Sequence, residues 1–256
     1  MIALMPVEES RSSPTNKAEL IACKRALESM VIHALRGIDD SLHHRESLRF
    51  AITHGEDDDY VLHAEEARLL APSASKKRLI EWASGRRAAH LTLRRLGFDN
   101  PPPVLREAAG EPLWPDGIGG SISHCYPWSI AVAAKCSARL TIGIDLESLV
   151  RMAKVDISRV ACRKAELEWV SAEDDFQGRM GMIFSAKEAV YKALYPLCRR
   201  YIDFEEVELS WLREESRFDV DILAPFAASF VPSLMCKVYC RRRANFVFSC
   251  AICQIS

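Results

Sequence analysis

Leu140-Thr-Ile-Gly-Ile-Asp-Leu-Glu147 is the stretch on which the fold turns. Leu140, Ile142, Ile144 and Leu146 alternate with Thr141, Gly143, Asp145 and Glu147, a period of two that predicts a β-strand with one apolar face. The same period sets Asp145 and Glu147 together on the other face, with Gly143 beside them leaving room. Two carboxylates so placed repel each other unless a cation lies between them, and hard oxygen ligands suit magnesium. A polar, solvent-facing strand edge fits the same pattern.

Downstream, Ser185 to Leu197 predicts a long helix whose apolar stripe is Ala186, Ala189, Val190, Ala193, Leu194 and Leu197. Ser185-Ala-Lys-Glu188 reads as a capping box, which gives Glu188 a structural role. Lys187 then lies in the first helical turn. There a cation opposes the macrodipole unless it and the free backbone N–H groups together hold an anion. Glu188 and Lys192, at i and i+4, read as a surface ion pair. Upstream, Lys76 to Leu96 predicts a second long helix with a stripe at Leu79, Trp82, Ala83, Ala89, Leu93 and Leu96, stopped by Gly97. Arg86 falls on that stripe, where a guanidinium either pairs locally or reaches a bound anion. Aligning Ser84-Gly-Arg-Arg-Ala with Ser185-Ala-Lys-Glu-Ala pairs Leu93 with Leu194, Leu96 with Leu197 and Arg86 with Lys187. Two related α+β lobes around a shared cleft follow from that alignment. Val207 to Ile255 predicts antiparallel strands completing the second lobe.

The whole chain, 256 residues, is long enough for one large domain or two small ones. With 49% hydrophobic and 27% charged residues it can fill a core and is no disordered tail. Lys+Arg 34 against Asp+Glu 35 gives a net charge of −1, which disfavours a non-specific nucleic-acid binder. No apolar stretch approaches the roughly 20 residues of a membrane span, and Glu8 and Glu9 interrupt any signal-peptide core, so a cytoplasmic protein is expected. Leu20 to Leu35 predicts an amphipathic helix, followed by the polar segment His43 to Ser47; Glu56 to Asp59 reads as a solvated loop, and Pro101 to Pro103 break the chain. Nine cysteines without a secretory signal read as reduced thiols. Cys236, Cys240, Cys250 and Cys253 carry zinc-like spacing, but a strand over Phe246 to Cys253 turns Cys250 and Cys253 to opposite faces, which favours buried small hydrophobes. Ser123-His124 lacks the setting of a hydrolase, since adjacent strand residues diverge and no G-x-S-x-G elbow is present.

Three blocks in order carry a family resemblance. They are Gly110-Glu-Pro-Leu-Trp-Pro through Gly120-Ser-Ile-Ser-His124, Ile142-Gly-Ile-Asp-Leu-Glu147, and Phe184-Ser-Ala-Lys-Glu-Ala-Val-Tyr-Lys192. Together with Trp82-Ala-Ser-Gly-Arg-Arg-Ala-Ala89, the set resembles the 4′-phosphopantetheinyl transferases of the surfactin type, most of all the enterobactin synthase component D branch. The resemblance covers roughly residues 49 to 210. It implies a monomer of two similar α+β lobes: an N-terminal extension at 1–48, a first lobe at 49–139 and a second at 140–256. Coenzyme A and magnesium would sit between the lobes. It implies transfer of the phosphopantetheine arm to a serine of an apo carrier protein, releasing 3′,5′-ADP, in siderophore or other secondary metabolism.

Carried over residue by residue, the resemblance makes Asp145, Glu147 and Glu188 magnesium ligands, with Glu188 also the base. Lys187 and Lys192 would neutralise the pyrophosphate. Arg86, Ser123 and His124, and more weakly Arg78, would hold the 3′-phosphate, and Glu111-Pro112 would lie along the adenine. Arg199, Arg200 and Arg241 to Arg243 are candidates for docking an acidic carrier. Cys125, directly after the motif histidine, would make the site redox-sensitive. The competing readings are a coenzyme A or nucleotide-binding module without transfer, and a magnesium-dependent phosphohydrolase.

Overall fold

The computed structural model describes residues 17–42, 48–55, 61–108, 110–136, 140–223 and 234–255. The polar segment 43–47 and the acidic run 56–59 lie outside the described residues. The chain begins with helix α1 (Lys17–Leu42), strand β1 (Arg49–His54), a short α2 (Ala64–Arg68) and α3 (Lys76–Arg95). A small hairpin, β2 (Leu105–Arg106) and β3 (Pro112–Leu113), leads to β4 (Ile118–Cys125) and β5 (Trp128–Lys135). Then come β6 (Leu140–Ser148), the short helices α4 (Leu149–Met152) and α5 (Ser158–Ala161), α6 (Lys164–Ser171) and α7 (Phe176–Cys198). The chain closes with β7 (Val207–Leu212), β8 (Arg217–Ile222), β9 (Leu234–Arg243) and β10 (Phe246–Ile255).

Among the described residues, besides the β2-β3 hairpin, two larger antiparallel sheets form, ordered β1-β5-β4 and β6-β10-β9-β8-β7. Each lobe is a strand, a long helix and a hairpin whose last strand pairs with the first: β1-α3-β4-β5 in one, β6-α7-β9-β10 in the other, with β7 and β8 added at the far edge. The repeat extends to buried polar groups. In the first lobe Glu66 of α2 accepts from His63 N at its own helix start, from Val104 N and from His90 of α3. In the second, Glu166 of α6 accepts from Arg163 N, Leu209 N and Lys187 of α7. A carboxylate buried in apolar surroundings needs such partners, and both lobes supply them the same way.

The strands alternate as their sequence predicts. Ile142, Ile144 and Leu146 of β6, Ile130 and Val132 of β5, and Phe248 and Cys250 of β10 share a core with Leu27, Val31, Ala34 and Ile38 of α1. Thus α1 spans both sheets on one face. On the other face α3 packs on β5 through Ala88, Ala89 and Leu93, and α7 packs on the second sheet through Ala186, Ala189, Val190 and Ala193. Gly97, at φ +99°, is the left-handed residue that ends α3, with Phe98 N bonding back to Leu93 O. Leu79, assigned to the apolar stripe of α3, is instead exposed.

Two expectations need correction. Helix α7 begins at Phe176, not Ser185, so Ser185 is buried mid-helix and no capping box explains Glu188. Gly178 and Gly181 disguise the earlier turns as a loop; they are small because Arg242 and Asp175 crowd the first and Leu149 and Val247 the second. The cysteines are not all reduced: Cys236 of β9 and Cys253 of β10 stand opposite each other and are joined by a disulfide, while the other seven are free. Cys250 faces the α1 side and Cys253 the α7 side. No helix among the described residues is long and apolar enough to cross a membrane.

Candidate active site

The two sheets meet edge to edge at β4 and β6, and among the described residues no backbone ladder joins them. Serine hydroxyls do so instead. Ser121 Oγ accepts from Ile144 N and Ser123 Oγ from Leu146 N, each at 3.1 Å, satisfying edge groups of β6 that would otherwise be buried without partners. Ser123 Oγ in turn donates to Asp145 Oδ1 at 3.1 Å. The two strand edges face each other, and α7 covers the polar face of β6. Gly143 makes this approach possible, since its Cα lies against the backbone of Ala189, Lys192 and Ala193.

Into this seam α7 directs Lys192. Its Nζ donates to Asp145 Oδ1 at 2.7 Å and to Ile144 O at 3.0 Å, and lies 3.4 Å from Ser123 Oγ. Lys192 therefore pairs with Asp145 across the packed helix rather than with Glu188 on an open surface. Burial lowers its pKa, but Asp145, Glu188 and Glu147 outweigh that, and the ammonium is held above its usual value. Burial, then Asp145, pushes the Glu147 carboxyl up to about 8, Lys192 offsetting part of this and Glu188 adding to it. Glu188 is raised as well, first by burial and then by Asp145, against the pull of Lys192. Asp145 is 3% exposed, and its Oδ2 is buried with no hydrogen-bond partner among the described residues.

An orphaned carboxylate oxygen beside two carboxyls with raised pKa values marks a place lacking positive charge. Among the described residues no group of three or more His, Cys, Asp or Glu side chains is placed to hold a metal ion, so Asp145, Glu147 and Glu188 do not converge as a ready three-carboxylate site. Magnesium does not require one, since it usually takes one or two carboxylates and completes its shell with water and substrate phosphates. The oxygen donors here fit such an ion.

The remaining expected residues divide. His124, adjoining the seam, has Nδ1 4.0 Å from Glu81 Oε1. Desolvation lowers its pKa, Glu81 opposes this, and the charges of Lys192 and Arg78 add to the lowering. Arg78 is exposed at the start of α3, its backbone N–H capped by Ser75 Oγ. Arg86 is buried, stacks 3.8 Å from the Trp82 ring centroid and donates to Leu105 O. Glu111 precedes Pro112 of β3 and accepts from Arg199 at 2.6 Å, so the end of α7 touches the first lobe at a second place. Lys187 is not in the seam. It is buried, with Nζ 2.6 Å from Glu166 Oε2 and 2.9 Å from Phe204 O, so the expected contact with pyrophosphate is not what its placement provides.

The basic docking candidates are also engaged: Arg199 with Glu111, Arg200 with Glu206, Arg241 with Ser216 O, Arg242 with Asp175 and Arg243 with Ser29. Cys125 is buried, and burial first, then Glu147, pushes its thiol up to about 12, which leaves almost no thiolate to oxidise near neutral pH. Sequence reasoning missed Glu81 and Glu166. Both sit in ordinary helical charge patterns, and only the fold brings them to their partners.

Two repeated α+β lobes with an acidic and cationic cluster at their seam define the class, and the chain belongs to the 4′-phosphopantetheinyl transferase family. The 4′-phosphopantetheinyl transferase N-terminal domain matches residues 65–134, and the 4′-phosphopantetheinyl transferase superfamily matches residues 141–232. The chain is similar to the 4′-phosphopantetheinyl transferase Svp of Streptomyces mobaraensis, 34% identical over 188 residues, which cover 68% of this chain and 72% of that one. To PptT of Mycobacterium tuberculosis it is 34% identical over 57% of this chain and 64% of that one. To enterobactin synthase component D of Escherichia coli K12 it is 33% identical over 47% of this chain and 56% of that one. Among solved structures, the Chronobacterium ammoniagenes ACPS–CoA complex aligns with 46% of this chain and 98% of that one at 14% identity and TM-score 0.40.

Proposed function

We propose that the chain transfers the 4′-phosphopantetheine arm of coenzyme A to a serine of an apo carrier protein, with magnesium and with release of 3′,5′-ADP. The observation that carries the reading is the seam itself: Lys192 on Asp145, the orphaned Asp145 Oδ2, and the Glu147 and Glu188 carboxyls beside it, both raised in pKa by burial and by Asp145. In the step, the serine oxygen forms a bond to the β-phosphorus of coenzyme A and the bond from that phosphorus to the bridging oxygen breaks. The serine proton goes to a carboxylate, and Glu188, whose pKa burial raises above the ordinary carboxylate value, is suited to take it. Lys192 offers its charge where negative charge grows on the phosphoryl oxygens. Asp145, Glu147 and Glu188 would hold the magnesium ion, which when bound supplies further charge neutralisation on the pyrophosphate.

For the 3′-phosphate we propose Ser123 and His124 together with Arg78 and Arg86 of α3. Glu111-Pro112 is the segment for the adenine. The enterobactin synthase relatives favour a client in siderophore or related secondary metabolism. The test is intact-mass spectrometry of an apo carrier domain incubated with this protein, coenzyme A and magnesium. The carrier is expected to gain one phosphopantetheine arm, and the gain is expected to vanish with EDTA or in Glu188→Ala. Tight coenzyme A binding with no modification of siderophore, polyketide or fatty-acid carriers would establish a binding module instead. Steady breakdown of coenzyme A without carrier would establish a phosphohydrolase.

A further inference from the structure

Lys187 immediately precedes Glu188 on α7, and helical geometry turns its side chain about 100° from Glu188 and about 140° from Lys192. Its surroundings are complete. The Lys187 side chain is 1% exposed and that of Glu166 is 0% exposed, with Nζ and Oε2 2.6 Å apart. Glu166 has further fixed contacts: its Oε2 accepts from Arg163 N at 2.6 Å, holding the start of α6, and its Oε1 accepts from Leu209 N at 2.8 Å, holding β7. Lys187 adds Phe204 O at 2.9 Å. One ion pair thus joins α7, α6, β7 and the turn before β7, on the flank of α7 turned away from the seam. The first lobe carries the same arrangement at Glu66, but there α3 supplies His90, and the helix bears no counterpart of Glu188.

We infer that Lys187 and Glu166 are positioning residues, a buried bolt that fixes the rotation of α7 and so sets Glu188 and Lys192 against Asp145, and that Lys187 is not a phosphate ligand. The inference rests on the proposed transfer reaction, since it assigns the bolt its purpose. The geometry demands little movement to show an effect. Lys192 reaches Asp145 Oδ1 at 2.7 Å, and a rotation of α7 that moves Nζ by about 1 Å breaks that contact.

The test compares Lys187→Met, Glu166→Leu and the double variant Lys187→Met/Glu166→Leu. Each is read by carrier modification rates at varied coenzyme A, by coenzyme A titration calorimetry and by thermal melting. Lys187→Met is expected to lose about a hundredfold in kcat through misplacement of Glu188 and Lys192, with KM and Kd for coenzyme A within about threefold of wild type. The double variant removes both buried charges and is expected to return to within roughly tenfold of wild-type kcat, because replacing both partners by apolar groups is far milder than stranding one. A double variant as slow as Lys187→Met, with coenzyme A binding weakened tenfold or more, would make Lys187 a phosphate ligand and overturn the assignment. If either single variant fails to fold, the double variant alone decides by the same two readings. Wild-type protein that modifies no carrier in the parallel reaction would overturn the transfer reading, and the bolt's assigned purpose with it.

Discussion

Gly143→Ala tests the contact on which the seam depends. A Cβ built at Gly143 would overlap the carbonyl oxygen of Ala189 outright and would lie 2.5 Å from Ala193 N and 3.0 Å from Lys192 C. All three are backbone atoms of α7, so no side chain can rotate away. To reach an ordinary contact of about 3.4 Å at Ala193 N, α7 must retreat by about 0.9 Å, and Ala189 O demands more, in an interior packed too densely to absorb it locally. Overpacking of a core costs about 1–3 kcal/mol where side chains adjust, and a clash against fixed backbone belongs at or above the top of that range. For a chain of this size about 3 kcal/mol is a fall in melting temperature of about 6–12 °C. The same retreat draws Lys192 from Asp145, whose contact is 2.7 Å, and about a hundredfold in turnover should be lost with it. Calorimetric melting and initial rates of carrier modification measure the two effects. A variant that melts within about 2 °C of wild type, a shift worth less than about 1 kcal/mol, would refute the claim that α7 rests on the bare backbone of β6.

Ser123→Ala should destabilise the protein by about 2 kcal/mol, because it leaves Leu146 N–H without its acceptor and removes a donor from Asp145. Urea unfolding measures this, and an unchanged midpoint would mean that the serine hydroxyls do not join the sheets. In metal-free protein the raised Glu147 pKa has a definite sign: the folded state holds a proton there up to about pH 8, whereas an unfolded glutamate loses it near its ordinary value. Stability contributed by this group is therefore full at acid pH and lost as pH rises from about 4.5 through about 8. Melting in EDTA across that window should show a decline that Glu147→Gln flattens, and identical profiles for the two proteins would remove the assignment.

Much of this architecture is readable before folding. Alternation in Leu140 to Glu147 places the strand and its two faces, and the stripe on Ala186 to Leu194 places the helix that covers it, because burial imposes the same periods the backbone does. What the pattern misreads has local causes. Ser185-Ala-Lys-Glu188 has the composition of a helix start, while Gly178 and Gly181 have that of a loop, so local chemistry argues for a boundary that tertiary packing overrides. Asp145 and Glu147 fit an exposed edge equally well until α7 is known to lie over them. Lys187 and Lys192 are both cations of one motif, and the spacing cannot show that one enters the seam while the other is spent on Glu166, 21 residues earlier in the chain.

The repeat explains why the chemistry sits between the lobes rather than in either. Thr53 pairs with Ser129 in the first sheet as Asp145 pairs with Ser249 in the second, and the matched helices present Ser84 and Ser185 to those strands. Thr53 satisfies its hydroxyl within its own lobe, on Ser84 O at 2.8 Å. Asp145 does not close on its own lobe alone: its partners are Lys192 of α7 and Ser123 of the neighbouring sheet, and one oxygen is left over. A buried carboxylate with a spare oxygen is tolerated only where the fold gains something from it, and a single lobe cannot supply Ser123 and Lys192 together. Hence the scaffold is duplicated, but its reactive groups arise only where the second copy's first strand meets the edge of the first copy's sheet.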